Sequence, residues 1–173
     1  MATSLYDMSI PSYLQELGAA SGFMRKGAEH CAEHGLDPGE LVEARLREDM
    51  LPFRFQAISM CHHSLGAIRG IQEGVFTPPP AMPDLDYAGL QSLVDDAITQ
   101  LQAISPEEVD ALAGKALVFK LGKTEMPFVA EDFVLSFSLP NFYFHATTAY
   151  GILRMLGVKL GKMDYLGQMR MGG

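Results

Sequence analysis

The sequence predicts one all-α domain over residues 1–173: a four-helix bundle with a short helix after the first long helix and a small β-hairpin before the last. Three observations predict this fold. Four long segments repeat apolar residues at intervals of three and four, as a helix with one buried face does. A proline-rich segment, residues 77–83, joins two of them and cannot be helical. Residues 116–129 change to an alternating pattern that indicates strands. Amphipathic helices joined in this way favour a bundle.

The first long helix is predicted from about Ser9 to His34, with Pro11 near its first position, where a missing N–H costs little. Its buried face carries residues at three-four spacing, namely Ile10, Tyr13, Leu14, Leu17, Met24 and Ala28. Three glycines weaken this helix by about 1 kcal/mol each and permit close approach of a neighbour; they are Gly18, Gly22 and Gly27. Asp37-Pro38 then caps a short amphipathic helix over residues 39–49.

The second long helix is predicted from about Pro52 to Glu73. Apolar residues cover more than half of its surface, which suits a helix packed on two neighbours. The third, from about Asp86 to Ile104, has the clearest three-four period of the chain. Residues 105–108 predict a further short helix, because a capping serine is followed by proline and two acids.

Within residues 116–129, Leu117, Phe119 and Leu121 alternate with less apolar residues before a Gly-Lys turn, which predicts a hairpin. The last long helix is predicted over residues 131–156, ending at Gly157 and kinked at Pro140. Residues 158–173 are predicted to form a tail that lies on the bundle.

The net charge of −8 and a pI near 5.0 argue against nucleic acid or an anionic membrane as a partner. No apolar run is long enough to span a bilayer, and the N-terminus lacks the basic-then-apolar order of a signal peptide. Cys31 and Cys61 are therefore expected to be reduced. These features predict a cytoplasmic protein.

His145 is the strongest candidate for a functional residue. On a helical wheel it falls among apolar residues, namely Val134, Phe137, Phe144, Ile152 and Met155, so its ring is expected to be buried and to need a partner. A core histidine would hydrogen-bond a backbone carbonyl or a neighbour such as Thr148 or Tyr13. A functional histidine would bind a metal or act as a general base in a pocket between helices. Asn141, Tyr13 and Thr148 are the residues expected to bind a ligand in that pocket.

A metal at His145 would need partners. The adjacent His62 and His63 lie on the second helix, and at most one can face a given site, but the apolar pattern does not choose between them. His30 and His34 share a face in the last turn of the first helix, as a two-ligand pair would require, but favourable interaction of a cation with the helix dipole is the preferred explanation for them. A tight zinc site needs three or four ligands, so no cofactor is certain; a divalent ion (Zn, Ni or Fe) at His62 or His63 and His145 is a hypothesis. Cys61 directly precedes His62 and faces another direction, which favours a structural thiol.

Several stretches resemble a domain of unknown function (DUF1993) that is grouped with the DinB/YfiT-like four-helix bundles. They are SLYDMSIP at 4–11, DMLP at 49–52, LPNFYFH at 139–145, TTAY at 147–150 and DYLG at 164–167. The resemblance extends from the N-terminus to about Gly167. It implies a cytosolic bundle, commonly dimeric.

The same resemblance implies a site. The wider superfamily typically holds a divalent metal with a histidine on the second helix and a His-x-x-x-His pair on the last, and some members are thiol-dependent transferases. His63 or His62, together with His145, can take the first two places, but the third place is Ala149. Two hypotheses follow. One is a homodimeric binding or structural protein with an incomplete metal pocket and a possible small-molecule ligand. The other is a divalent-metal enzyme of the thiol-dependent transferase or hydrolase type that uses His63 and His145.

Overall fold

The structure is a computed structural model that describes residues 3–79 and 84–171. Most of these residues are in helices. The long helices are α1 (Leu5–His34), α3 (Phe53–Cys61, a π-helical turn His62–Gly66, then Ala67–Glu73), α4 (Tyr87–Gln102) and α6 (Ala130–Phe133, a π-helical turn Val134–Ser138, then Leu139–Met155). The short ones are α2 (Pro38–Glu43), α5 (Pro106–Asp110) and α7 (Lys162–Leu166). The long helices contact one another in a closed order: α1 packs on α4, α4 on α3, α3 on α6 and α6 on α1. The core lies between them.

α1 begins four residues earlier than predicted, because a capping box starts it. The Ser4 hydroxyl accepts from the Asp7 amide, and the Asp7 carboxylate accepts from the Ser4 amide. Pro11 therefore lies inside the helix, and its predicted position near the first turn is wrong. The helix ends as predicted at Gly35, whose φ of 65° suits the left-handed conformation of a C-terminal cap.

The short helix α2 begins where the sequence predicts but ends earlier than predicted, at Glu43 rather than at residue 49. Asp37 caps it by accepting from the Gly39 amide at 2.9 Å. It stops at Glu43, and residues 45–49 are exposed, so the prediction of a helix through residue 49 is wrong. After Leu41 and Val42 the segment has no further buried apolar residue to hold a helix against the core.

Of the three glycines on α1, one makes the close approach that the sequence predicts. A Cβ on Gly27 would lie 2.3 Å from the Tyr87 hydroxyl oxygen of α4. That hydroxyl donates to the Met24 carbonyl at 2.7 Å, which joins α4 to α1. A Cβ on Gly18 or Gly22 would meet no atom within 4 Å, so the predicted close approach is wrong at these two positions.

The predicted hairpin is confirmed as strands β2 (Ala116–Leu121) and β3 (Thr124–Val129), which pair antiparallel. The sheet has one more strand than predicted: β1 (Val75–Phe76) pairs parallel with β2. β1 follows α3 directly and turns back against it at Gly70, where a Cβ would lie 2.8 Å from the Phe76 ring. The described chain is thus mostly helical with a three-stranded sheet rather than strictly all-α with a hairpin.

The disturbance predicted at Pro140 takes the form of the π-helical turn Val134–Ser138. Proline cannot donate a backbone hydrogen bond, and its ring would press on the carbonyl four residues earlier in a regular α-helix. A wider turn just before Pro140 removes that conflict. Residues 77–79 are not helical, whereas 80–83, the rest of the predicted crossover, lie outside the described residues.

The C-terminal tail includes α7, which packs on α1. The Gln15 side-chain amide donates to the Leu166 carbonyl at 2.9 Å, and Lys26 pairs with Asp164 at 2.6 Å. Among the described residues, no helix is both long and apolar enough to cross a membrane.

Candidate functional site

The π-helical turns of α3 and α6 are joined by a chain of hydrogen bonds. The Ser138 hydroxyl donates to the His63 carbonyl at 2.5 Å. Because this uses the only hydrogen of that hydroxyl, the Tyr13 hydroxyl, 2.6 Å away, donates to Ser138. Isolated π-helical turns occur frequently at functional sites because they redirect side chains and free backbone groups. Here they place His63 on the side of α3 that packs on α6.

His63 and His145 lie beside each other between these helices. Their ring centroids are 5.7 Å apart and their planes differ by 19°. The residues are 7% and 8% exposed, so the pair is buried but solvent still reaches part of each. The structure therefore selects His63, rather than His62, as the neighbour of His145.

Gln56 fixes the hydrogen positions on His145. Its side-chain amide nitrogen donates to the Leu51 carbonyl at 2.9 Å, which leaves its oxygen facing His145. That oxygen lies 2.8 Å from Nδ1 of His145 and can only accept. His145 thus carries its hydrogen on Nδ1 and has a lone pair on Nε2. Its partner is Gln56 rather than Thr148 or Tyr13.

Two buried polar atoms near this pair have no hydrogen-bond partner among the described residues. One is Nδ1 of His63, and the other is the hydroxyl of Ser59, one turn earlier on α3. Aromatic rings surround His63, with Phe76 and Phe137 at centroid distances of 5.5 and 5.7 Å. Buried polar groups are nearly always satisfied in proteins, so an unpaired one indicates a place where a ligand or water can bind.

Both histidines are neutral at neutral pH. Burial, together with smaller contributions from the neighbouring His145 and His62, lowers the pKa of His63 to about 3. Burial lowers the pKa of His145 to about 4. A neutral imidazole offers one donor and one acceptor, and its lone pair is the form that binds a metal.

His62 is directed away from the pair. Its Nε2 donates to the Thr77 carbonyl at 2.7 Å, and its ring stacks on Phe76 at 4.4 Å. Burial lowers its pKa too. Its predicted role as a metal ligand would require that hydrogen bond to break.

The donors at this site are too few for a tightly held metal ion. Over residues 3–79 and 84–171, no three side chains from His, Cys, Asp and Glu come together as a metal site. The position four residues after His145 is the fully buried Ala149, which offers no side-chain donor. A structural zinc takes four protein ligands and a catalytic one three, so two imidazoles alone do not fit such an ion.

The other predicted pocket residues make hydrogen bonds elsewhere. Asn141 donates to the Phe137 carbonyl and Thr148 to the Phe144 carbonyl, both at 2.7 Å and both within α6. Tyr13 is fully buried and is tied to Ser138. Their binding of a ligand stays a prediction. Neither Gln56 nor Ser59 is among the site residues predicted from the sequence. Both are polar residues on an otherwise apolar helix face near His63, and this pattern is the signal that points to them.

The remaining candidates lie apart from this site or are unreactive. His34 Nδ1 lies 2.8 Å from the His30 carbonyl, so this ring bonds the backbone at the end of α1. The Cys61 thiol donates to the Leu93 carbonyl, and burial raises its pKa to about 12. A thiol with that pKa is not a nucleophile at neutral pH.

The chain matches the family described as a domain of unknown function (DUF1993) over residues 5–166. No curated protein sequence matches the chain. Among solved structures it is similar to a DinB family member protein from Shewanella denitrificans, with 24% sequence identity, coverage of 98% of this chain and 95% of that chain, and a TM-score of 0.78. At this identity the likeness concerns the fold alone.

Proposed function

This chain belongs to the DUF1993 family, and we propose that it is a cytoplasmic, homodimeric binding protein that holds a small, uncharged polar ligand at His63 and His145. The observation that carries the proposal is the buried Nδ1 of His63, which has no partner among the described residues. A ligand group that hydrogen-bonds this atom would offset the cost of burying it unpaired.

The surroundings of the two histidines favour an uncharged ligand. Both rings are neutral at neutral pH, so neither supplies a positive charge for an anion. The half-buried Phe55 and the exposed Phe144 flank His145, at centroid distances of 5.6 and 5.3 Å. A charged ligand would lose its hydration against these apolar rings without gaining an opposite charge.

A divalent-metal enzyme of the thiol-dependent transferase or hydrolase type, using His63 and His145, is the second candidate. One distance favours it. With Zn–N bonds of about 2.0–2.1 Å, two imidazoles at a tetrahedral angle would have centroids roughly 5 Å apart, near the 5.7 Å seen here. The described residues supply no third ligand, which places this candidate second.

Metal content separates the two candidates. Untagged protein supplemented with Zn²⁺, Ni²⁺ or Fe²⁺ and then dialysed is expected to retain much less than one ion per chain by elemental analysis. One ion per chain, lost in His145→Ala but not in His34→Ala, together with metal-dependent turnover, would establish the enzyme instead.

Ligand binding is tested by NMR of the histidine ring nitrogens during titration with acetamide, a small uncharged probe. We expect acetamide to shift the signals of His63 and His145, whereas acetate and ethylammonium leave them unchanged. His63→Phe should abolish the response, and His34→Ala should keep it. Equal responses to all three probes, or none to acetamide, would refute the uncharged-ligand site.

The proposed dimer uses the outer face of α6. Phe144 and Met155 are 57% and 51% exposed there, and Leu46 lies over Gly151 between them. We call Leu46, Phe144, Gly151 and Met155 the α6 outer patch. Exposed apolar side chains gathered on one face are typical of a protein interface. A cytoplasmic location is supported by both cysteines being free thiols.

A further inference from the structure

A surface groove of about 640 Å³ lies where α1 and the N-termini of α2 and α4 meet. Its lining is mainly apolar and includes Ala28, Pro38 and Ala88. Tyr87 borders it, 4% exposed and held in place by its hydrogen bond to Met24. The volume is within the range of small-molecule sites, which are concave, mostly apolar and furnished with a few polar groups.

The polar groups of this groove are mostly hydrogen-bond acceptors. Glu29, Asp37 and Asp86 each contribute a carboxylate, against one cation, Arg25, among the described residues that line it. Asp37 and Asp86 each use one oxygen to cap a helix, through the amides of Gly39 and Gly89, which leaves the second oxygen of each free of hydrogen bonds within the described chain.

Gln91 also lines the groove, and the orientation of its side-chain amide is fixed. Its side-chain nitrogen lies within hydrogen-bond distance of the Ser21 carbonyl and both carboxylate oxygens of Asp95, all of which can only accept. The amide oxygen must therefore be the other atom, and it is buried without a donor among residues 3–79 and 84–171. Satisfying it requires a group that brings an N–H or O–H.

We propose that this groove binds a small molecule with an ammonium group on an apolar body, at a site separate from His63 and His145. A primary ammonium offers three donors and no acceptor, which complements an acceptor-rich rim with an excess of negative charge. The apolar lining accommodates the rest of the molecule. A carboxylate ligand would meet three like charges and, in the described part of the lining, one opposite charge, that of Arg25.

Phenethylamine is the probe for this site, and phenylacetate and 2-phenylethanol are its matched acidic and neutral analogues. Titrations followed by backbone amide NMR should show phenethylamine shifting Gly39, Ala88 and Gln91 while His145 stays unchanged. The neutral analogue should bind about tenfold more weakly than phenethylamine. Added salt should weaken the binding of phenethylamine, because it screens the attraction between the ammonium group and the carboxylates.

A triple variant removes the charges while keeping the caps, because asparagine caps a helix as well as aspartate. Glu29→Gln/Asp37→Asn/Asp86→Asn should bind phenethylamine about tenfold more weakly than the parent, with an unchanged unfolding midpoint. Ala88→Trp should block the groove, and Leu121→Glu on the hairpin should have no effect. Tighter binding of phenylacetate, unaltered affinity in the triple variant, or no saturable binding of phenethylamine would overturn the proposal.

Discussion

Glu16 is a buried carboxyl group that makes no hydrogen bond within the described chain. It is 4% exposed, and burial raises its pKa to about 8. Tyr165 of α7 lies near it: burial raises the pKa of this tyrosine, and the charge of Glu16 raises it as well. A neutral carboxyl is accommodated beneath α7, whereas a charged one is opposed by its desolvation.

We predict that Glu16 lowers stability as the pH rises. Its folded pKa lies above the ordinary value of 4.5, so its contribution is fully present below pH 4.5 and is lost as the pH rises through about 8. The slope should be roughly 1 kcal/mol per pH unit within that window. Urea unfolding from about pH 6 to 8.5 should show it in the parent and in Glu29→Gln, but not in Glu16→Gln. A slope unchanged in Glu16→Gln would contradict this.

The histidine pair should change stability with pH in the direction opposite to Glu16, so that stability falls as the pH drops. The folded pKa values of His63 and His145, about 3 and about 4, lie below the ordinary 6.5, so the unfolded chain binds more protons between these limits. Stability is complete above pH 6.5 and falls as the pH drops towards 4, by up to about 1.4 kcal/mol per pH unit for each histidine.

This effect can be separated from that of the carboxylates by comparing variants. His63→Gln and His145→Gln should each reduce the slope of unfolding free energy against pH, measured by urea unfolding between about pH 5 and 7. The exposed His34, replaced in His34→Gln, is the control and should leave the slope unchanged. Equal slopes in all three variants would show that the pair is not held neutral.

At the histidine site, the sequence predicts the burial of a single residue but not which residues contact it. The wheel position of His145 predicts its burial, which the structure confirms. Its partner could not be predicted, because Gln56 lies 89 positions away and only the packing of α3 on α6 brings them together. The choice of His63 over His62 depends on the π-helical turn, which no local pattern indicates.

Elements follow the sequence where a period or a capping motif exists. The four long helices come from the three-four period, and the predicted cap at Ser105 is a capping box with Glu108. β1 has two residues, too few for any alternation to be seen. The π-helical turns, too, resemble ordinary helix in composition, so only Pro140 marks one of them.

At the level of elements, replacing Gly70 or Gly22 with alanine is predicted to change the free energy of unfolding in opposite directions. A Cβ on Gly70 would lie 2.8 Å from the Phe76 ring and 3.2 Å from the Val75 carbonyl oxygen, so Gly70→Ala should separate β1 from α3. We expect a loss of about 1–3 kcal/mol, which exceeds the gain in helix propensity. Gly22 has open space, and Gly22→Ala should stabilise by about 0.5–1 kcal/mol. Thermal or urea unfolding measures both, and destabilisation of similar size by both would be inconsistent with the packing described.

For the whole molecule, the pairs of helices that pack together determine where a binding site can lie. The histidine site lies between α3 and α6, whereas the ammonium groove lies between α1 and α4 beside α2, on a different pair of helices. The two sites can therefore be altered independently. The α6 outer patch includes Phe144, next to His145 in the chain, so a partner subunit there would lie close to the histidine site.

The dimer itself is the prediction that belongs to the whole molecule. Light scattering at micromolar concentration should give about twice the chain mass of 18.9 kDa. Phe144→Glu or Met155→Glu places a charge in the α6 outer patch, where desolvating it in an interface is costly, and should halve the mass without lowering the unfolding midpoint of the monomer. Leu121→Glu is the matched control, because Leu121 is similarly exposed at 52% against 57% for Phe144 but lies on the hairpin. If that control dissociates the protein while both patch variants remain dimeric, the interface lies at the sheet; a parent with the mass of one chain would exclude the dimer.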